Sequence, residues 1–311
     1  MITRLAPSPT GALHLGNART FLVNWIMARQ NKWKILLRIE DLDGPRIKRG
    51  TVTELMEDLR WLGLDFDGAP IYQSSHSGEY VTAIEKLLRE GFAYPCVCTR
   101  KEVETAASAP HAEDGSTVYP GTCRGRFATM AQAQAFSGRP AAIRFRVPDQ
   151  TVRWTDGVAV EQSCDVGRQL GDFVIAKADA AAAYQLAVVV DDADAGVTHV
   201  VRGDDLLDST PRQMLLYQAL GMAEKIPNYF HLPLVVGPDG RRLAKRHGDT
   251  RLATYRQSGV PASRIRGLLA KWSGIDAGEH VHDIRSLIGR FDLSLLPRSP
   301  IVCDWQYHPT S

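Results

Sequence analysis

Four groups of residues have types and spacings suited to chemistry. The first is Arg4-Leu5-Ala6-Pro7-Ser8-Pro9-Thr10-Gly11-Ala12-Leu13-His14-Leu15-Gly16-Asn17. Arg4 to Ala6 reads as a strand, and Pro7, Pro9 and Gly11 exclude regular structure after it. From Asn17 onward Phe21, Leu22, Trp25 and Ile26 recur at helical spacing. A strand that turns into a helix N-terminus suits an anion, because the first amide groups of a helix lack internal partners. His14 and Gly16 sit at that mouth; an ordinary turn that happens to hold a histidine is the plainer alternative. The second group is Glu40-Asp41-Leu42-Asp43, placed to meet an ammonium or to form a solvated acidic loop. The third is Cys96-x-Cys98 with Cys123, three soft ligands within reach of one metal ion. Packing cysteines are the alternative. Spacing and chemistry nominate His111 as a fourth ligand, since imidazole binds zinc more readily than a phenol does. The fourth is Arg241-Arg242-Leu243-Ala244-Lys245-Arg246-His247-Gly248-Asp249, with four basic residues in six positions. It is either solvated surface or a phosphate clamp.

The elements that must position these groups alternate strand and helix. Lys34–Ile39 is an apolar run of strand length, which predicts a buried parallel strand with Glu40 at its C-terminal end, where open α/β sheets gather ligands. Thr53–Leu62 and Ser77–Glu90 have helical periodicity, and Gly91 stops the second. The order predicts a doubly wound sheet with right-handed crossovers. The texture then changes. Tyr94–Cys98 is extended, Thr99-Arg100-Lys101-Glu102 has the form of a capping box, and residues 105–125 read as a loop or an insertion. Ala142–Val147 alternates apolar and basic residues, which predicts a half-exposed strand with a wet basic face. Asp172–Ile175 reads as a strand. The apolar stretch Tyr184–Asp192 and then Thr198–Leu206 return to the α/β pattern. Ser209-Thr210-Pro211 starts a helix, with Pro in its first turn. Phe230–Val236 is a further strand, and Leu252–Leu296 reads as short helices.

Bulk properties narrow the class. At 311 residues the chain buries a large core and holds about two domains. With 44% hydrophobic and 23% charged residues, wholesale disorder is excluded. No apolar run approaches the roughly 20 residues that span a bilayer, and no signal-peptide pattern opens the chain. A cytoplasmic protein without a membrane partner is expected. A net charge of +2 neither demands nor excludes a nucleic-acid partner. Five cysteines without a secretion signal favour metal or free thiols over disulfides.

The opening stretch resembles the start of class I aminoacyl-tRNA synthetases of the glutamyl type, in which a strand precedes P-S-P-T-G-x-L-H-x-G-x-A-R-T. His14-Leu15-Gly16-Asn17 takes the four places of the "HIGH" signature, and the match runs on through Arg38-Ile39-Glu40-Asp41-Leu42-Asp43. Tyr184-x-x-Ala187, Val190-Asp191-Asp192 and Gly196 to Asp205 are similar to the middle of the same enzymes. Arg242-Leu243-Ala244-Lys245-Arg246 is similar to their "KMSKS" loop, with Arg for the first Lys and Ala for the first Ser. The resemblance spans about residues 4–255. Only 65 residues follow Arg246, fewer than a helical anticodon-binding region needs. That trait, Val188 within Y-Q-L-A-V, and Cys96, Cys98, Tyr119 and Cys123 in the C-x-C, Y-x3-C pattern match the truncated paralogues, the glutamyl-queuosine tRNA(Asp) synthetases. On the resemblance Tyr119, not His111, is the fourth ligand.

The resemblance implies an α/β fold: a Rossmann-type doubly wound parallel sheet interrupted by an α+β zinc-containing insertion, followed by a small helical C-terminal region. The implied division is 1–92 and 184–236 for the two catalytic halves, 93–183 for the acceptor-like insertion, and 237–311 for the loop and a stem-contact region. It also implies activation of L-glutamate by ATP and transfer to queuosine in the anticodon stem-loop of tRNA(Asp). His14 and Lys245 would be catalytic. Arg4, Leu5, Ala6, Pro7, Ser8, Glu40, Tyr184 and Arg202 would bind glutamate. His14, Gly16, Asn17 and Lys245 would bind ATP, with Mg²⁺. One structural zinc per chain and a monomer are expected. A truncated synthetase that charges a tRNA 3′ end and a non-catalytic RNA-binding paralogue are the alternatives.

Overall fold

Alternation along the first strands decides what each side of the central sheet carries. The computed structural model describes residues 1–44, 47, 50–106, 118–241, 243 and 250–303. Strand β1 (Ile2–Leu5) leads through the Pro/Gly turn into helix α1 (Leu15–Gln30), then β2 (Lys34–Ile39), α2 (Thr51–Leu62), β3 (Ile71–Tyr72) and α3 (Ser77–Arg89). β1 and β3 flank β2, all parallel, with Arg4 opposite Leu36 and Arg38 opposite Ile71. Because successive side chains point to opposite faces, Leu5, Ile35, Leu37 and Ile39 enter the main core with α1 and α2. Leu36 packs on the other side, the side to which alternation also assigns Arg4 and Arg38.

The insertion follows as β4 (Ala93–Cys96), α4 (Arg100–Ala106), α5 (Met130–Ser137), β5 (Ala142–Phe145), β6 (Thr151–Asp156), β7 (Val160–Asp165), α6 (Val166–Gln169) and β8 (Val174–Ala176). Its sheet is antiparallel in the order β4-β5-β8, beside the β6–β7 hairpin. The capping box at α4 forms as expected: the Thr99 amide donates to Glu102 (2.6 Å) and the Glu102 amide to the Thr99 hydroxyl (3.2 Å). The expected alternation of β5 is present, with Ile143 and Phe145 buried and Ala142 and Arg144 half-buried. Arg144 on the half-buried face is also tied to the protein: it donates from Nε to Cys96 Sγ (3.3 Å) and from Nη1 to the Asp172 carbonyl (2.8 Å). The strand read at Asp172–Ile175 starts later because the Asp172 carboxylate accepts from Tyr94, Arg124 and the Val147 amide.

Helix α7 (Tyr184–Asp194) returns the chain to the central sheet, followed by β9 (His199–Gly203), α8 (Ser209–Ala219), β10 (Asn228–Leu232) and β11 (Val235–Val236). β9 and β10 are parallel, and the Thr198 amide donates to the Ile2 carbonyl (2.9 Å), which sets β9 beside β1. The spatial order β3-β2-β1-β9-β10 is that of an open doubly wound sheet. The chain ends with α9 (Leu252–Gln257), α10 (Ala262–Trp272) and β12 (Ile301–Val302). The C-terminal region is therefore not purely helical, since β12 pairs in parallel with β11. Nor does it stand apart: Leu252, Ile265, Leu269 and Trp272 share the main core with α1. Arg19, quoted in the opening signature, joins these parts. It is buried, and donates to the carbonyls of Pro233 (2.6 Å) and Trp272 (3.1 Å). Burial lowers its guanidinium pKa to about 10, against the pull of Asp204.

Candidate active site

The C-terminal ends of β1, β2 and β9 open into a cavity of about 410 Å³. Arg4, Ala6, Pro7, Ser8, His14, Gly16, Asn17, Glu40, Tyr184 and Arg202 all line it, so nearly the whole sequence-derived set converges. Leu5 is the exception. Its side chain is fully buried in the main core, as strand alternation requires of a neighbour of Arg4. Lys245 and His111 lie outside the described residues.

A buried charge chain fixes one wall. Asp192, in the last turn of α7, accepts from Arg4 Nε (3.3 Å to each oxygen) and from Arg38 Nη1. Arg38 Nη2 reaches on to Glu40 Oε1 (3.1 Å). Burial pushes the Asp192 carboxyl up, but Arg38 and Arg4 prevail and hold it below the usual carboxylate range. Burial has the opposite outcome at Glu40, whose carboxyl stands above its ordinary value despite Arg38 and Arg4. The neighbouring Asp191 is anchored separately by Gln73 (2.7 Å), Tyr80 (2.8 Å) and His76 (2.9 Å). Among the described residues, Nε is the only hydrogen-bonded nitrogen of Arg4, so its terminal nitrogens remain for a ligand.

Arg202 forms the second cationic wall. Its Nε donates to His231 Nε2, Nη1 to Gln213 and Nη2 to Thr210, each at 2.9 Å. The guanidinium lies over the Tyr229 ring, 5.2 Å from its centroid. Tyr184, the first residue of α7, is partly exposed on the cavity, and burial raises its phenol pKa against the pull of Arg202.

At the mouth, α1 starts after His14 with no side-chain cap. The Leu15 amide donates to the Thr250 carbonyl (3.0 Å) and the Leu252 amide to the Leu13 carbonyl (2.8 Å). The segment after the basic loop is thus stitched to the histidine turn. Gly16 and Asn17 keep the unpaired-amide positions of a first helical turn. A Cβ on Gly16 would stand 3.3 Å from the His14 ring, so glycine lets the imidazole lie against the helix.

The cysteines form a separate cluster in the insertion. The Sγ atoms of Cys96, Cys98 and Cys123 all lie within 4.8 Å of one another. Tyr119 Oη is 3.4 Å from both Cys96 Sγ and Cys98 Sγ and accepts from the Cys123 amide (2.8 Å). β4 ends at Cys96, and Cys98 stands two positions further on, a spacing that strand alternation itself leaves on one side. The Arg144 guanidinium lies 3.8 Å from the centre of the Tyr119 ring. Burial raises the Cys98 thiol to about 11.

Sequence reasoning gave no roles to Arg38, Asp192, Asp156 or His231. The signal for Asp192 was available: two adjacent acids within the apolar Val188 to Ala193 run have to be paired if that run is buried. For Asp156 and His231, which lie 75 positions apart, no local pattern exists.

The family model "tRNA synthetases class I (E and Q), catalytic domain" matches residues 1–306. The chain is 47% identical over 325 residues to the Glutamyl-Q tRNA(Asp) synthetase of Rhodopirellula baltica, covering 97% of this chain and 96% of that one. It is 39% identical over 297 residues to the Glutamate--tRNA ligase of Citrifermentans bemidjiense, covering 95% of this chain and 62% of that one. The crystal structure of a glutamate tRNA ligase from Elizabethkingia meningosepticum superposes with a TM-score of 0.81 at 30% identity, over 97% of this chain and 66% of that one. Sequence and fold agree along nearly the whole length, and the chain belongs to the class I tRNA synthetases of the E and Q type, a family of ligases.

Proposed function

We propose that this chain activates L-glutamate with ATP, without tRNA, and passes the glutamate to the queuosine base at the wobble position of tRNA(Asp). The observation that carries the activation step is the convergence of Arg4, Arg202, Glu40 and Tyr184 on the cavity that His14, Gly16 and Asn17 also line. Free glutamate has two carboxylates and one ammonium. Two guanidinium groups and one carboxylate are its complement, because guanidinium pairs with carboxylate in a two-pronged geometry. Ser8, whose hydroxyl shares a hydrogen bond with Thr10 (2.9 Å), and Tyr184 add polar contacts. The queuosine step is supported by the near-full-length likeness to relatives that are named for it.

In the first step a glutamate carboxylate oxygen attacks the α-phosphorus of ATP, and the bond to pyrophosphate breaks. Substrate and leaving group already contain the reacting atoms, so the protein orients them and stabilises charge rather than supplying a nucleophile. The first turn of α1 and His14 would take the phosphates, with Mg²⁺ accompanying ATP. Lys245 is the expected partner of the α-phosphate.

We assign the cysteine cluster to one structural zinc. The donor set fits: three thiols and a phenol oxygen gather within contact of one another, and Arg144 offsets their negative charge. Four protein ligands leave no open position, so the metal would hold the 93–183 insertion in shape and take no part in the chemistry. The catalytic halves would be 1–92 and 184–236. Among the described residues no helix is long and apolar enough to cross a membrane, and we take the protein to work as a cytoplasmic monomer.

Labelled glutamate, ATP and tRNA(Asp) with or without queuosine test the whole reading. Label that requires queuosine and is lost when periodate first cleaves the diol supports it. Label on unmodified tRNA(Glu) would instead support a shortened glutamate–tRNA ligase, a reading favoured by the 39% identity to such an enzyme. Absence of glutamate-dependent ATP–pyrophosphate exchange would leave a non-catalytic paralogue.

A further inference from the structure

The β6–β7 hairpin belongs to the insertion by sequence, yet its tip is seated in the catalytic half. The Gly157 amide donates to the Tyr229 carbonyl on β10 (2.9 Å). Val158 is buried in the main core, and Arg298 donates to its carbonyl (2.6 Å). A Cβ on Gly157 would stand 2.2 Å from the Phe230 ring, so the seat admits only glycine without displacement. Asp156 is buried at this tip. One of its oxygens, Oδ1, accepts from the amides of Val158 (2.9 Å), Ala159 (2.9 Å) and His231 (3.1 Å). The other, Oδ2, meets His231 Nδ1 at 2.5 Å.

These contacts fix the tautomer of His231. A carboxylate only accepts, so Nδ1 carries the proton and Nε2 carries a lone pair. Arg202 Nε–H fills that lone pair at 2.9 Å, with the Thr210 hydroxyl 3.3 Å away. Arg202 therefore has one N–H on each nitrogen committed to the protein: to His231, Gln213 and Thr210. What remains is one N–H on Nη1 and one on Nη2, on a residue that lines the cavity.

We infer that Asp156 and His231 are positioning residues for Arg202: they select the edge of the guanidinium offered to the amino-acid substrate, and the seated hairpin tip holds them there. This rests on the glutamate-activating reading of the cavity. Neither residue lines the cavity, so neither touches substrate. In Asp156→Asn the three amides retain Oδ1, and an NH₂ group replaces Oδ2 opposite His231 Nδ1. The imidazole then accepts at Nδ1 and carries its proton on Nε2, donor against donor with Arg202. His231→Leu removes the acceptor altogether. In His231→Gln the side-chain oxygen can still accept from Arg202.

The test is ATP–pyrophosphate exchange with the full chain, varying glutamate and ATP separately. Asp156→Asn and His231→Leu should raise the KM for glutamate about tenfold or more, from loss of one charge-assisted hydrogen bond. The KM for ATP should stay within about twofold, and His231→Gln should recover most of the loss. Equal changes in both KM values, or an unchanged glutamate KM, would overturn the inference. Should both variants fail to fold, ¹⁵N imidazole shifts of the wild-type protein at neutral pH decide instead. Protonated Nδ1 with bare Nε2 supports the inference, and protonated Nε2 overturns it. Wild-type protein with no glutamate-dependent exchange would sink the functional reading, while the tautomer result would still judge the geometry.

Discussion

Replacing Arg4 by alanine should weaken glutamate far more than ATP. Arg4 spends Nε on Asp192 and keeps both terminal nitrogens for the cavity. Two charge-assisted hydrogen bonds to one carboxylate are at stake, and truncating one partner of a desolvated pair of this kind costs about 2–4 kcal/mol. That corresponds to an increase of about 30- to 700-fold in the glutamate KM. In the proposed arrangement ATP takes a different part of the cavity, the first turn of α1. Its KM should move by less than about threefold. Arg4→Lys keeps the charge and loses the fork, so it should fall between wild type and alanine. Exchange of labelled pyrophosphate into ATP, with each substrate titrated against saturating amounts of the other, gives both constants. Asp192 keeps Arg38 as a partner in the variant, so the protein should remain folded, which a thermal melt verifies. A proportionate loss for both substrates would refute the division of the opening stretch into an amino-acid half and a nucleotide half.

Cys98→Ser should drop bound zinc from one per chain and lower the melting temperature of the insertion, while pyrophosphate exchange persists; metal analysis and calorimetry check this, and an unchanged zinc content would remove the assignment. Gly157→Val should destabilise the protein by about 1–3 kcal/mol, because its side chain has to displace the Phe230 ring, read as a lower urea midpoint. Stability should also fall as the solution is acidified below about pH 6.5. Burial depresses the pKa of His231, with Arg202 acting in the same direction and Asp156 against it, and burial likewise depresses His199. The unfolded chain then binds protons that the folded one refuses, so the stability is fully present above the unfolded value and is lost below it, by up to about 1.4 kcal/mol per pH unit for each histidine. Urea midpoints between pH 7.5 and 5.5 measure the slope, and His231→Gln should reduce it; a flat profile would contradict the assignment of neutral buried imidazoles.

Much of the site was legible because it sits at ends of elements that announce themselves. Glu40 follows a strand that is apolar but for Lys34 and Arg38, and His14 follows a proline-broken turn. Both positions are set by local chain geometry. The type of the Tyr184–Asp192 stretch was not legible. An apolar run of that length is compatible with a strand or a buried helix, and only the packing of α7 on α8 and on the 73–89 segment decides it. The alternation predicted for β5 holds, but the partners of its basic face were not legible. Alternation tells which residues share a side, but not which groups that side touches; here Arg144 meets Tyr119 and Cys96. Leu5 was included with its neighbours in the opening motif, although a period of two separates it from Arg4. The pairing of Asp156 with His231 depends on the β6–β7 tip reaching β10, and no stretch of sequence contains it.

Arg19 gives the chain an order of assembly. It lies in the first helix, but its two carbonyl partners are Pro233 and Trp272, separated from it by 214 and 253 positions. During synthesis the N-terminal half emerges with a guanidinium that its own neighbours do not satisfy, and burying it early would strand a charge. The helix has to leave that face hydrated until α10 is available. Closure of the core is therefore coupled to synthesis past Trp272, with the late, long-range step expected of a high-contact-order fold. A ribosome-bound chain ending before Trp272 should expose the α1 face to proteases, and one extended past it should not.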